Sequence, residues 1–288
     1  MPGSIEELVG LLALERIDDN LFRGTQPDTH RQRVFGGQVA AQAFVAAART
    51  VPDDRHVHSL HSYFLRGGDP AIPIVYDVDD LRDGRSFTTR RVMARQHGRP
   101  IYYQTLSYQV DEEDQLDHQD AMPDVPAPDE CPSLSELFRR QSAETAAEWE
   151  SEWSALDLRW AGDSSPRGGL DATEHPARNR LWVRIQGDLP DDRVVHEAAF
   201  TYASDLTLLA VSLVPHDLRI NSPKVMPASL DHSMWFHRPF RANEWWLYDQ
   251  LSPSASGGRG LAIARVFTED RRLVASVAQE GLIRLVNR

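Results

Sequence analysis

At 288 residues, 41% of them hydrophobic and 26% charged, the chain is too long for one small domain and fits two soluble domains of ordinary size. The formal net charge of −12 argues against a nucleic-acid partner, because no basic stripe is present to release phosphate counterions; a polyanionic small molecule would need local arginines working against the overall field. The single cysteine, Cys131, excludes an internal disulfide and a cysteine-based metal cluster, so no oxidising compartment is required.

Near the start, Ser4–Leu12 places acids among apolar turns without a basic leader, which predicts an amphipathic helix rather than a signal peptide. A strand is predicted near Glu15–Gly24. Phe35–Arg49 contains Gly36-Gly37 and then a proline-free, alanine-rich run, which predicts a buried helix whose small residues let a sheet pack close. Strand-like runs follow at His58–Arg66, Ile72–Asp80, Ser86–Gln96 and Ile101–Val110. Turn signals separate them at Gly67-Gly68-Asp69-Pro70, Asp83-Gly84 and His97-Gly98. One helix followed by a four-strand meander is a helix lying across an antiparallel sheet. From Asp111-Glu112-Glu113-Asp114 to Pro132 the chain is acidic and proline-rich and lacks the apolar periodicity needed to pack, so a mobile linker is expected. An acidic helix is expected after it, near Leu134–Leu156.

The second half repeats the first. Asp205–Val214 takes the place of the alanine-rich helix, with Asp205 as a first-turn acid. Ser233-Met-Trp-Phe-His-Arg238 matches His61-Ser-Tyr-Phe-Leu-Arg66, Gly258-Arg259 matches Gly84-Arg85, and Arg272–Gln279 matches the last strand of the first half. The period is too long for a solenoid and points to a duplicated domain. Units over 1–110 and 156–288, joined by 111–155, can pair their sheets edge to edge and cover exposed strands. No apolar run is long enough to span a bilayer, and Leu285-Val-Asn-Arg288 is not a Ser-Lys-Leu address, so a cytoplasmic protein without membrane insertion is expected.

Three segments carry the chemistry: Tyr202-Ala-Ser-Asp205-Leu, Ala228-Ser229-Leu-Asp-His-Ser-Met-Trp-Phe-His237, and Gln279-Glu-Gly281. Taken singly, Asp205 is an ordinary helix-start acid, stabilising by roughly 0.5–1 kcal/mol; Ser229 is a strand hydroxyl, and Gln279 a solvent-facing amide. A carboxylate, a hydroxyl and an amide are also the groups needed to hold and activate one water. In that order the three segments resemble the acyl-CoA thioesterase II family over nearly the whole chain. The resemblance implies an α+β double hotdog and hydrolysis of acyl-CoA to a fatty acid and coenzyme A. It also implies a water site made of Asp205, Ser229 (where relatives carry threonine or serine) and Gln279, with no cofactor or metal. Backbone N–H groups at Gly36-Gly37 are candidate oxyanion donors; close packing is the competing explanation for that pair. A carboxylate at a helix N-terminus has its charged form stabilised and its pKa lowered, which makes it a weak base, while burial pushes the other way.

His56, His58 and His61 invite a metal reading, but no cysteine or carboxylate stands at ligand spacing. A supporting role for His58 or a place in the core are the alternatives. His232 and His237 read as parts of a packed aromatic strand. The nucleophile-elbow pattern Gly-Xaa-Ser-Xaa-Gly is absent, so Ser229 is not placed as a nucleophile. A hotdog hydratase or dehydratase would carry an Asp/His pair on one helix, and neither helix offers it; a non-catalytic acyl-CoA binder would have no need to position water. Exposed sheet surface makes a homo-oligomer the expected assembly.

Overall fold

The computed structural model describes residues 1–29, 31–113 and 116–286. Asp114 of the acidic run and residues 287–288 of the terminal motif lie outside the described residues. Helix α1 (Ile5–Leu12) is capped by Ser4, whose hydroxyl accepts from the Glu7 N–H at 3.3 Å, and it buries Leu8, Leu11 and Leu12. A short hairpin, β1 (Glu15–Asp18) and β2 (Leu21–Gly24), leads to α2 (Gly36–Ala48). Every residue of α2 from Gly37 to Ala47 is buried, as the alanine-rich sequence requires. Strands β3 (Arg55–Phe64), β4 (Ile74–Asp83), β5 (Phe87–Gln96) and β6 (Arg99–Val110) alternate buried and accessible residues, burying one face under α2.

Two helices follow, α3 (Leu134–Arg139) and α4 (Ala143–Trp153), where one was expected. Ser142 divides them: its hydroxyl accepts from the N–H groups of Glu144 and Thr145 and starts a new helix. The second half runs β7 (Leu156–Asp163), β8 (Arg178–Ile185), α5 (Arg193–Ser204), a 3₁₀ segment (Leu208–His216), β9 (Val225–Ser229), β10 (Asp231–Phe236), β11 (Trp246–Ser256), β12 (Arg259–Thr268) and β13 (Leu273–Leu285).

The thirteen strands of the described residues form one antiparallel sheet, in the order β1-β2-β4-β5-β6-β3-β10-β13-β12-β11-β8-β7, with β9 paired to β13 beyond that path. The first six strands are mirrored by the last six, and the expected α+β double hotdog with joined sheets is observed. The seam is β3 against β10. There His61 stands opposite Ser233, the two positions that the sequence repeat equates, with Nδ1 and Oγ 3.1 Å apart. Helices α2 and α5 pack on each other, and one apolar core runs through both halves.

The structure corrects four readings. First, β3 pairs with β6 rather than β4, so only β4–β6 form a meander; residues 65–73 carry the chain across to the far strand. Second, the counterpart of α2 is α5, not Asp205–Val214. That run carries Thr207, Val211 and Val214, β-branched residues that lose rotamer freedom in an α-helix, and Pro215 lacks an N–H, so it winds as a 3₁₀ segment. Third, the passage up to Pro132 is docked instead of loose. The Trp182 Nε1–H donates to the Pro126 carbonyl at 2.9 Å, and Cys131 is buried with Trp182, Leu247 and Phe267. Gln119 bonds the backbone of Arg271 and Leu273 at 2.8 and 3.0 Å, and Arg265–Asp120 and Arg271–Asp124 add surface ion pairs worth ~0–1 kcal/mol each. Irregular segments anchored residue by residue show no periodicity. Fourth, Arg193–His216 has the length and apolarity of a membrane span, but its most apolar 18-residue stretch is 67% buried within the fold, as a core segment would be.

Candidate active site

Helix α5 ends where its own side chains hold it. The Ser204 hydroxyl donates to the Thr201 carbonyl at 2.9 Å, and the Tyr248 hydroxyl donates to the Ser204 carbonyl at 3.0 Å. His232 Nε2 lies 2.9 Å from Ser204 Oγ. These bonds fix the direction in which the next residue, Asp205, leaves the helix. Asp205 is therefore a C-terminal cap of α5, not a first-turn acid.

Strands β9 and β13 bring the other two groups. Ser229 closes β9 opposite Gly281, and Gln279 stands two residues before Gly281 on the same face of β13. Gly281 lets the 3₁₀ segment approach: a Cβ there would meet Leu209 Cδ2 at 2.4 Å. The three expected residues form a closed ring. The Ser229 hydroxyl donates to Asp205 Oδ1 at 3.1 Å; Gln279 Nε2 donates to the same Oδ1 and, at 2.9 Å, to Ser229 Oγ. Gln279 is fully buried, not solvent-facing, and its Oε1 has no hydrogen-bond partner among the described residues.

Asp205 keeps some exposed surface as a residue, but its carboxylate is enclosed. Desolvation is the dominant influence and raises its pKa from 3.8 to about 6, against the opposing hydrogen bonds from Gln279, Ser229 and the Gly37 N–H. The expected lowering by a helix N-terminus is present but comes from a different helix. It is the start of α2, from the other half of the chain, that faces this carboxylate. A Cβ on Gly36 would stand 2.7 Å from Asp205 Oδ2, and one on Gly37 would stand 2.3 Å from the Tyr202 carbonyl. Both glycines are thus required by close approach, and the Gly37 N–H is already engaged by Asp205. The geometry matches the close-packing explanation of the pair.

The histidines stand elsewhere. His58 Nε2 is 2.8 Å from Ser107 Oγ with Phe87 against its ring, and His56 pairs with Asp111 at 3.4 Å. Among the described residues no group of three His, Cys, Asp or Glu side chains could hold a metal ion. His232 is fully buried; its pKa is pushed down to about 4 by desolvation, so its ring is neutral. Because Ser204 gives its proton to Thr201, the His232 ring donates from Nε2 and its Nδ1 is left without a partner among the described residues. Reading the sequence missed the roles of Ser204 and Tyr248, whose hydrogen bonds hold the end of α5 from which Asp205 leaves. Ser204 lies inside the Tyr202–Leu206 segment but was given no role there, and no motif marks Tyr248; the corrected position of α5 reveals what both do.

Comparison with known proteins agrees with this architecture. Residues 165–282 match the family model described as acyl-CoA thioesterase, and residues 25–109 match the acyl-CoA thioesterase N-terminal domain. Acyl-CoA thioesterase 2 of Haemophilus influenzae is 38% identical over 99% of both chains. The acyl-CoA thioesterase II TesB2 of Mycobacterium marinum superposes with a TM-score of 0.82 at 42% identity, over 97% of this chain and 99% of that one. A hot dog fold protein of Alicyclobacillus acidocaldarius, 20% identical, shares the fold with a TM-score of 0.76 over 98% and 99% of the two chains. The chain belongs to the acyl-CoA thioesterase II family, whose members are thioester hydrolases.

Proposed function

We propose that this chain is an acyl-CoA thioesterase that hydrolyses fatty acyl-CoA by direct attack of a water held by Asp205, Ser229 and Gln279. The observation that carries this reading is the ring closed around one carboxylate of raised pKa. Asp205 takes a proton from the water as its oxygen bonds the thioester carbon. The tetrahedral oxyanion then collapses, the carbon–sulfur bond breaks, and coenzyme A leaves as a thiolate that takes up a proton. Ser229 and Gln279 hold Asp205 Oδ1, and the buried Gln279 Oε1 is an acceptor suited to a water proton. A thioester is an activated acyl group, so a base with a pKa near 6 suffices.

Two results test this reading. The carboxylate must be ionised to act, so kcat/KM should rise with pH up to about 6 and level off above it. A profile that is flat from pH 4.5 to 8, or that falls as Asp205 ionises, would remove Asp205 as the base. The second result separates water from a serine nucleophile. Gln279 Nε2 occupies a lone pair of Ser229 Oγ, which weakens it as an attacking group. Ser229→Thr should keep at least about a tenth of the activity, since threonine retains the hydroxyl, while Ser229→Ala should lose ~10-fold or more of kcat, a modest share of a general-base effect. Intact-mass measurement of rapidly quenched enzyme should show no acyl adduct; a Ser229-linked adduct forming and decaying at competent rates would overturn the water mechanism.

The same proposal includes two hotdog units over 1–110 and 156–288, supported by the mirrored strand order. It places the enzyme in the cytoplasm, consistent with a buried free thiol that needs no oxidising compartment. It also includes a homo-oligomer, for which exposed Tyr63, Trp235 and Ile263 on the outer sheet face offer apolar area. Cell fractionation and sedimentation velocity check the last two; a membrane-bound or strictly monomeric protein would refute them.

A further inference from the structure

Four buried polar residues stand side by side where the two halves of the sheet meet. On the face covered by the helices, Gln104 of β6 is paired with Ser62 of β3, and Ser62 with His232 of β10. The β10–β13 register, with Ser233 opposite Ala278, then sets His232 beside Gln279 of the proposed ring. None of the four is more than 1% exposed. The duplication supplies a comparison. Pairing His61 with Ser233 relates this row to a second one, Leu106–Leu60–Met234–Val277, two residues along the same strands. That row is also buried and is entirely apolar. The seam therefore packs without polar groups. Burying amides and an imidazole is unfavourable unless their hydrogen bonds are made, so the polar row serves something other than packing.

The hydrogen bonds of the row run in one direction. The Tyr102 hydroxyl donates to Gln104 Oε1. At the other end the His232 Nε2–H donates to Ser204 Oγ at 2.9 Å, and Ser204 donates to the Thr201 carbonyl at 2.9 Å, where Asp205 leaves α5. The Ser62 hydroxyl donates to the His232 carbonyl at 2.7 Å and ties the two strands together. Between these stretches two atoms lack partners among the described residues, and they are complementary. Gln104 Nε2 is a donor, and His232 Nδ1 is an acceptor in this tautomer. Their strands lie two places apart, a backbone separation of ~9–10 Å that one water can bridge between the side chains.

Resting on the water-site reading above, we propose that Gln104, through one buried water, is a positioning residue for Asp205. The water accepts from the Gln104 amide and donates to His232 Nδ1, which fixes the imidazole as the Nε2–H tautomer. The Nε2–H holds Ser204, and Ser204 sets the end of α5. With the donor to Nδ1 removed, the ring is free to carry its proton on Nδ1, and Ser204 loses its partner. The first half of the chain thus orients a base carried by the second.

Histidine ¹⁵N spectra of the parent protein test this chain without turnover, with the His232 signals assigned by their loss in His232→Gln. The expected ring is protonated at Nε2 and hydrogen-bonded at Nδ1. A proton on Nδ1, or an Nδ1 free of hydrogen bonding, would overturn the inference. Gln104→Met keeps the side-chain length and removes the donor. It should shift the His232 signals and lower kcat by ~10-fold or more with KM nearly unchanged, since a small displacement of a positioned group is costly. A higher Tm with parent-like kcat would mark Gln104 as an unpaired core amide and nothing more. His232→Gln keeps a donor for Ser204 and has no tautomer to choose, so in that background Gln104→Met should cost less than about 2-fold further. An equal loss in both backgrounds would mean that packing, not the tautomer, carries the effect. If Asp205→Asn proved fully active, the water-site reading would fail and the role toward Asp205 with it, while the ¹⁵N spectra would still decide whether the water joins Gln104 to His232.

Discussion

Asp205→Asn should abolish most turnover and, at the same time, stabilise the protein at neutral and alkaline pH. The loss of a general base costs ~10²–10⁴-fold in kcat. The gain in stability follows from the same carboxylate. Its pKa rises from 3.8 to about 6 on folding, so the folded state holds the proton more tightly and the ionised form is disfavoured by roughly 3 kcal/mol. That cost is absent below pH 4, grows as pH rises from 4 to 6, and is complete above 6. Asparagine has no charge to desolvate, but it keeps only one acceptor oxygen for Ser229, Gln279 and the Gly37 N–H and turns an NH2 donor toward the rest, so only part of the cost is recovered. The Tm of Asp205→Asn should therefore exceed that of the parent at pH 8, and the difference should vanish toward pH 4. A variant less stable than the parent at pH 8 would contradict the burial of a charged carboxylate; one that turns over normally would remove it from the reaction. Gln279→Ala and Ser229→Ala should also lower kcat, and their losses should not add to that of Asp205→Asn, if all three hold the one water proposed above.

Gly37→Ala should damage both stability and turnover through a single added methyl. The added Cβ would stand 2.3 Å from the Tyr202 carbonyl and 2.5 Å from the Phe35 ring. The first neighbour is backbone of α5 and cannot swing aside, so α2 and α5 must separate. Overpacking of this kind typically costs ~1–3 kcal/mol, and here it also draws the Gly37 N–H away from Asp205. A lower Tm together with a loss of kcat is the expected outcome of thermal melts and thiol-release assays. Parent-like stability would show that the α2–α5 contact is softer than its geometry implies. Gly36→Ala should be milder for stability, since its Cβ meets the Asp205 side chain and the Phe64 ring edge, but it would press on the proposed catalytic carboxylate.

Much of the fold was legible because strands and the α2 helix carry local signals. Alanine density and two glycines located α2, and turn residues such as His97-Gly98, both with positive φ, located the hairpins. The ring of Asp205, Ser229 and Gln279 was legible only through resemblance, since each residue alone has an ordinary explanation. What stayed hidden was of two kinds. Helix α5 carries His196, Glu197, Thr201 and Ser204 on buried positions, so its sequence looks more polar than a core helix, while the apolar run after it looked more helical than it is. The docking of 116–132 depends on partners far along the chain, Trp182, Arg265 and Arg271, which no local window contains. The source of the helix-start effect on Asp205 stayed hidden for the second reason: it is Gly37, some 170 positions earlier in the chain.

The three side chains of the proposed site all come from the second half, but the glycines that begin α2 in the first half pack against its carboxylate, so the site is completed across the duplication. A chain severed within residues 111–132 would leave two inactive pieces, and turnover would return only as they met. The rate of recovery would be second order in the fragments and would fade on dilution, whereas the uncut enzyme is indifferent to concentration at the level of this seam. The covalent tether thus supplies a high effective concentration of one half for the other, and it leaves evolution free to let the two halves diverge in sequence while the strands between them stay in register.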